Sequence, residues 1–216
     1  MIGSTALAFD LDGTLIDSRR DLATAVNRVR VELGHEKLAV EVVRGMVGEG
    51  VRVLLERALP DLPPTQFEDA LESYLRHYEQ VCLDSTFAYP GIPHLLSLAA
   101  DRLPLAVLTN KPESMSRRIL DHLGLLPHFK VVIGGDTLPV RKPEPETIAA
   151  VAQKLAVRVS TLTLIGDSLT DAATAKAAAS GLILVSWGFR PRSELETTGA
   201  PICDSVPELA ARLGLS

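Results

Sequence analysis

Short, wholly apolar runs alternate along the chain with longer stretches in which apolar residues recur every three or four positions. The apolar runs are Ala6-Leu7-Ala8-Phe9, Leu105-Ala106-Val107-Leu108, Val131-Val132-Ile133, Leu162-Thr163-Leu164-Ile165 and Leu182-Ile183-Leu184-Val185. Each is followed by a loop and a helical pattern. A run without polar alternation reads as a strand buried on both faces, and such strands separated by helices build a covered parallel sheet. The expected fold is α/β, a doubly wound, Rossmann-like parallel-sheet core. Residues 112–123 predict one crossover helix, with Pro112 near its first turn and Gly124 past its end. Residues 171–179 predict an alanine-rich one, and Ser205-Val206-Pro207-Glu208 resembles a capping box opening a last helix.

One stretch breaks the alternation. From about residue 18 to 83 only helical patterns occur. Leu22, Val26, Val29 and Leu33 form a single stripe, and Val51, Leu54, Leu55 and Ala58 repeat the theme. Pro64-Thr65-Gln66-Phe67-Glu68 reads as a capping box before a third long helix. An all-helical block between the first strand and the rest predicts an inserted helical cap domain. The expected division is 1–16 and 85–216 for the core and 17–84 for the cap, with joints near 15–18 and 84–90.

Composition narrows the function classes. At 216 residues, with 46% hydrophobic and 23% charged, the chain needs neither disulfide nor metal merely to fold. Cys82 and Cys203 have no CxxC or CxxH partner, which argues against a disulfide framework or zinc site. Lys plus Arg total 22 against 27 Asp plus Glu, a net charge of −5 that argues against nucleic-acid binding. No apolar run approaches the roughly 20 residues of a membrane span, and the N-terminus does not read as a signal peptide. A cytoplasmic protein, bound to neither nucleic acid nor membrane, is expected. The five histidines share no metal-ligand spacing.

Four segments carry chemistry. Phe9-Asp10-Leu11-Asp12-Gly13-Thr14-Leu15 follows the first strand, where open α/β sheets bind ligands. Asp10 and Asp12 are two apart, so on an extended backbone both carboxylates face one way. Two such acids repel unless compensated, and Mg²⁺ or a proton shared with a leaving group would do so. A surface Asp-Gly turn is the alternative. In Gly166-Asp167-Ser168-Leu169-Thr170-Asp171, Asp167 follows another strand and Asp171 falls in a first helical turn. Both offer hard oxygen ligands suited to Mg²⁺, although Asp171 taken alone would also favour the helix dipole. After a third strand, Thr109-Asn110-Lys111 places a hydroxyl and a helix start where a phosphate could bind. A ligand-free turn is the alternative there. In Arg141-Lys142-Pro143, Pro143 is expected to open a helix and set the Lys142 ammonium beside it. A solvated lysine is the other reading.

These four segments, in this order, resemble the haloacid-dehalogenase-like hydrolase superfamily over essentially the whole chain. Gly134-Gly135-Asp136-Thr137, Arg141-Lys142-Pro143-Glu144-Pro145, Trp187-Gly188-Phe189 and Val47-Gly48-Glu49-Gly50 are similar to its bacterial phosphoglycolate phosphatase group. The resemblance implies a Mg²⁺-dependent phosphomonoesterase working through an aspartyl-phosphate, with 2-phosphoglycolate as the substrate. Asp10 is then the nucleophile and Asp12 the general acid/base. The dehalogenases of the superfamily lack an acid at the position of Asp12. Asp10, the Asp12 main-chain oxygen and Asp167 would hold Mg²⁺, with Asp171 ligating it or orienting its waters. Thr109, Asn110 and Lys142 would hold the phosphate. In the cap, Gly48 and Gly50 would let a loop approach the ligand, and Arg52 or Arg57 could pair with a substrate carboxylate or simply be solvated. Glu49 would repel an anion unless it turns away or meets a basic residue. The substrate is expected to be a small phosphorylated metabolite and the protein a monomer or homodimer. A sugar-phosphate phosphatase, a phosphoglucomutase-like enzyme or a pyrophosphatase shares these phosphate motifs. A non-enzymatic phospho-acceptor is a remoter alternative.

Overall fold

The computed structural model describes residues 4–215; residues 1–3 and 216, at the two ends of the expected core, lie outside the described residues. The chain opens with β1 (Ala6–Phe9) and turns into the short strand β2 (Ile16–Asp17). Four helices follow: α1 (Arg19–Glu32), α2 (Val40–Met46), α3 (Val51–Ala58) and α4 (Pro64–Val81). The chain returns through β3 (Phe87–Ala88), which pairs antiparallel with β2, Ile16 opposite Ala88. From there helix and strand alternate. First come α5 (Ile92–Ala100), β4 (Leu105–Leu108), α6 (Glu113–His122), β5 (Val131–Ile133) and α7 (Glu146–Lys154). Then follow β6 (Leu162–Gly166), α8 (Leu169–Ala178), β7 (Gly181–Val185), α9 (Arg192–Glu196), β8 (Ile202–Cys203) and α10 (Val206–Leu213).

The main sheet has six strands in the order β5-β4-β1-β6-β7-β8, with every pairing parallel. After β1 the chain winds outward through β4 and β5. It then crosses back and winds the other way through β6, β7 and β8. The reversal falls at β1, the place where open α/β sheets form a ligand crevice.

Side-chain alternation divides the core in two. Leu7, Phe9, Leu105, Val107 and Ile165 point to one face, where helices α5, α6 and α10 and the helical segment share one continuous apolar cluster. Ala6, Ala8, Ala106, Leu164 and Leu162 point to the other, under Ile148 and Val151 of α7 and Ala175 of α8. The alanines on that face let the two helices lie close to the sheet. In the helical segment, Leu22, Val26 and Val29 of α1 pack against α4, while Leu33 ends the helix and is exposed. Cys82 and Cys203 are free and buried. Among the described residues no helix is long and apolar enough to cross a membrane.

Three local expectations are corrected. Helix α4 begins at Pro64 with no side-chain cap; Thr65 lies inside its first turn, because a proline at N1 needs no N–H partner. At α10, Ser205 accepts from the Glu208 N–H at 3.3 Å, but the Glu208 carboxylate accepts from Asp204, not Ser205. Pro143 does not open α7, which begins at Glu146, so Lys142 reaches its partners from a loop. Strands β2, β3 and β8 have two residues each and leave no periodicity to read.

Candidate active site

Strands β4, β1 and β6 are neighbours, so the loops leaving their carboxyl ends converge. Asp10 directly follows β1, and its N–H continues the parallel ladder to the Ile165 carbonyl at 2.8 Å. Asp167 directly follows β6 and Thr109 directly follows β4. Asp171 reaches the same point from the first turn of α8. Its carboxylate completes a capping box, accepting from the Ser168 N–H at 3.1 Å and the Ser168 hydroxyl at 2.6 Å.

One carboxylate oxygen each from Asp10, Asp167 and Asp171 lies within 4.8 Å of the others, and all three side chains are buried. Lys142 enters this cluster. Its Nζ is 3.0 Å from Asp10 Oδ1 and 2.6 Å from Asp171 Oδ1. The Leu11 N–H donates to the same Asp10 oxygen at 2.7 Å, so both fixed contacts hold Oδ1. Asp167 accepts from the Phe189 N–H at 2.6 Å and from the Thr14 hydroxyl at 3.4 Å. Two glycines crowd it: a Cβ at Gly13 would fall 2.2 Å from Asp167 Oδ2, and one at Gly188 would fall 2.3 Å away. Gly13 also has φ +85°, a left-handed turn that glycine allows without strain.

Asp12 stands beside this cluster without joining it. The Lys111 Nζ is 3.0 Å from each of its oxygens, and the Ser18 hydroxyl donates to Oδ1. Lys111 closes the Thr109-Asn110-Lys111 segment, three residues past β4, and Ser18 lies six residues beyond Asp12; nothing local in the sequence marks either as a partner of Asp12.

Electrostatics follow from burial. Desolvation pushes the Asp10 carboxyl up to about 6, and Asp171 adds to the push while Lys142 opposes it. Burial, with Asp10 and Asp171, holds Asp167 well above the carboxylate range. For Lys142 burial favours the neutral amine, but Asp10 and Asp171 outweigh it and keep the ammonium charged. Were all four buried or nearly buried acids ionised, they would face only two ammonium groups and leave two negative charges unbalanced, which is why burial keeps protons on the cluster when no cation is bound. An all-oxygen donor set with that surplus fits one Mg²⁺.

A stability prediction follows. The folded pKa of Asp10 lies above its unfolded value, so the protonated form is the one folding favours. That stability is present at low pH and is lost as pH rises through about 6. In EDTA the protein should lose on the order of 2 kcal/mol between pH 4.5 and 7.5 from Asp10 alone. Glu32 and Glu113 are held low, by Ser73 and by Thr137 first, and act in the opposite sense only at lower pH. Chemical denaturation across that window checks the sign: a stability rising from pH 5 to 7.5 would mean the acids are not strained by burial.

A cavity lies over Asp10 and Asp12, walled by Thr109, Asn110 and Lys111 on one side and by Gly48, Gly50 and Tyr74 on the other. Gly48 and Gly50 have φ of +128° and +94°. Thr109 is buried beside it, its hydroxyl accepting from the Lys111 N–H at 3.3 Å. Asn110 departs from the expectation of a phosphate-binding side chain. Its Nδ2 donates to the carbonyls of Gly48 and Lys142, both at 3.0 Å, and its Oδ1 accepts from the Lys142 N–H at 3.0 Å. Its amide therefore positions Lys142 and docks the helical segment.

The two cap arginines lie elsewhere. Arg52 forms a double hydrogen bond with Glu68, at 2.9 and 3.2 Å, and stacks over the Phe67 ring at 5.1 Å. Arg57 is paired with Glu49 and donates to the Met46 carbonyl at 3.1 Å. Neither lines the cavity, because nearby acids on the helical segment hold both guanidinium groups. Glu49 is thereby neutralised and does not reach the site. Arg190 donates to the Gly45 carbonyl at 2.7 Å and to that of Val47, tying the loop after β7 to the end of α2 and the residue that follows it.

The chain is similar to known proteins over most of its length. A model of the family described as haloacid dehalogenase-like hydrolase matches residues 5–179. The chain is 37% identical to a phosphoglycolate phosphatase of Chromobacterium violaceum over 211 residues, 94% of each chain. It is 38% identical to one of Colwellia psychrerythraea over 216 residues, 96% of each chain. A crystal structure from Haemophilus somnus 129pt, described as a predicted phosphoglycolate phosphatase, superposes with a TM-score of 0.92 at 25% identity, covering 99% of both chains.

Proposed function

This chain belongs to the haloacid dehalogenase-like hydrolase family, and on that premise we propose that it is a Mg²⁺-dependent phosphomonoesterase that hydrolyses 2-phosphoglycolate to glycolate and phosphate. The observation that carries the reading is the convergence of Asp10, Asp167 and Asp171, with Lys142 bridging Asp10 and Asp171 and with Asp12 alongside. Asp10, Asp167 and the main-chain oxygen of Asp12 would hold Mg²⁺, and Asp171 would orient its waters. When bound, the ion supplies neutralisation of the phosphoryl oxygens.

The residues of the chain divide the rest of the work. Leu11 and Lys142 hold Asp10 Oδ1, which leaves Oδ2 to attack phosphorus and form an aspartyl-phosphate. The departing alkoxide takes its proton from Asp12. Asp12, once ionised, accepts a proton from the water that attacks the phosphorus, and inorganic phosphate leaves with Asp10 restored. Lys111 and Ser18 fix the Asp12 carboxylate for both transfers. Thr109 and Lys142 hold phosphoryl oxygens. The helices of residues 17–84 act as a cap over a core of 1–16 and 85–216, joined through β2 and β3, and exclude water from the cavity.

The relatives support the substrate: those with near-complete coverage carry the name phosphoglycolate phosphatase.

The test is kcat/KM with Mg²⁺ across phosphoglycolate, hexose phosphates, nucleotides and pyrophosphate, repeated in EDTA. Phosphoglycolate should lead the panel by about tenfold or more, and EDTA should remove at least 99% of turnover, restored by Mg²⁺. Turnover indifferent to EDTA, or chloride release from 2-chloropropionate without phosphatase activity, would overturn the proposal. A hexose phosphate or pyrophosphate at the head of the panel would move the substrate to one of the alternatives.

A further inference from the structure

Tyr74 and Tyr78 lie one turn apart on α4, so both rings face the same way, and they stack at 5.8 Å with planes 9° apart. Both are fully buried, and among the described residues neither hydroxyl has a hydrogen-bond partner. An unsatisfied buried hydroxyl costs about 1–3 kcal/mol, so two together are not explained by packing. Both rings line the cavity over Asp10, in the company of Asp12 and Lys111. The Lys111 ammonium sits 4.5 Å from the centroid of the Tyr78 ring. Burial, reinforced by the Asp12 charge, holds both phenols above their ordinary range, so they keep their protons.

The donor and acceptor balance defines what fits. Leu22, Val47, Val51 and Leu54 make the neighbouring wall apolar. Lys111 engages both Asp12 oxygens, and Ser18 adds a second donor to one of them. Beyond the reacting groups the cavity therefore offers two phenol donors, beside an ammonium that Asp12 already pairs. A carboxylate only accepts and suits that set; a hydroxyl or amide brings donors of its own that would compete for engaged acceptors. Building on the phosphomonoesterase reading, we infer that Tyr74 and Tyr78, beside Lys111, bind a carboxylate on the part of the substrate that departs as an alcohol.

Tyr74→Phe, Tyr78→Phe and the double variant remove only oxygen atoms and keep the stacked rings. Relief of the unsatisfied hydroxyls should leave the melting temperature unchanged or raised. The readout is the ratio of kcat/KM for phosphoglycolate to that for 2-hydroxyethyl phosphate, which has the same chain length and an alcohol in place of the acid. Each substitution should lower that ratio about tenfold, mainly through KM. A ratio equal in the parent protein and the double variant overturns the inference. Calorimetric titration with glycolate needs no turnover: the parent should bind it, and the double variant at least tenfold more weakly. A protein that hydrolyses no phosphomonoester yet shows this difference would lose the function proposed above and keep the carboxylate subsite. Glycolate binding that survives both substitutions, or its absence in the parent protein, removes the subsite whatever the activity.

Discussion

Asp10→Asn is expected to abolish phosphomonoester hydrolysis, lowering kcat by at least about 10⁴-fold, in a protein that still folds. The carboxamide is nearly isosteric, and its oxygen still accepts from the Leu11 N–H and from Lys142, which hold Oδ1 in the parent protein. What disappears is a charged oxygen able to displace an alkoxide. The same change takes one of three ionisable carboxyl groups out of a cluster gathered within 4.8 Å. At pH 7.5 in EDTA the variant should therefore melt at the same temperature as the parent protein or higher, the usual opposition of stability and activity at a functional site. Initial rates with phosphoglycolate and thermal melts on the same preparation check both halves. Residual hydrolysis above about 1% would take Asp10 out of the nucleophile role. A marked fall in melting temperature would show that the carboxylate stabilises the fold.

Lys142→Ala should be the other large effect, and it should show in stability as well as rate. Lys142 is the cation shared by Asp10 and Asp171, at 3.0 and 2.6 Å, and it is almost wholly buried. Its removal leaves three buried carboxylates without their cation. Breaking such a pair costs about 3–5 kcal/mol, and the acids can soften that cost by taking up protons. In EDTA the destabilisation should accordingly be larger at pH 8 than at pH 5. Mg²⁺ should return part of the stability, while kcat stays down by about 10³-fold, because the ion does not replace the ammonium on the phosphoryl oxygens. Denaturant titrations at the two pH values separate the cases: an equal loss at both would mean that lost packing, not lost charge, governs.

Much of this arrangement is legible along the chain, and the parts that are not have physical reasons. Five apolar runs announce the parallel strands, and the rule that ligands meet the carboxyl ends of such strands brings Asp10, Thr109 and Asp167 to one edge. Asp171 follows because a helix must start after β6. Lys142 is harder, since it arrives from a loop and its partners lie on distant segments. Contacts of that kind have no local period. The same reason hides the pairing of Arg52 with Glu68 and of Arg57 with Glu49, which takes both arginines away from the cavity. Tyr74 and Tyr78 sit at helical spacing and read as ordinary core; only the unpartnered hydroxyls mark them. Lys111 adjoins a recognised pair, Thr109-Asn110, and the pattern carries no sign that its ammonium reaches Asp12 99 positions away.

The glycines around the acid cluster set a boundary for anyone redesigning this pocket. A methyl group at Gly13 or Gly188 would collide with Asp167, and one at Gly166 would fall 2.2 Å from the Asp171 Cγ. On the sheet side the acids are thus enclosed by positions that tolerate nothing larger than hydrogen, and selection from a randomised library should return glycine at all three. Variation that enlarges or re-aims the cavity has to come from the opposite wall, from Leu22, Val51, Leu54 and the two tyrosines. New substrate preferences can therefore be evolved by repacking helices alone, with the phosphate chemistry carried along unchanged.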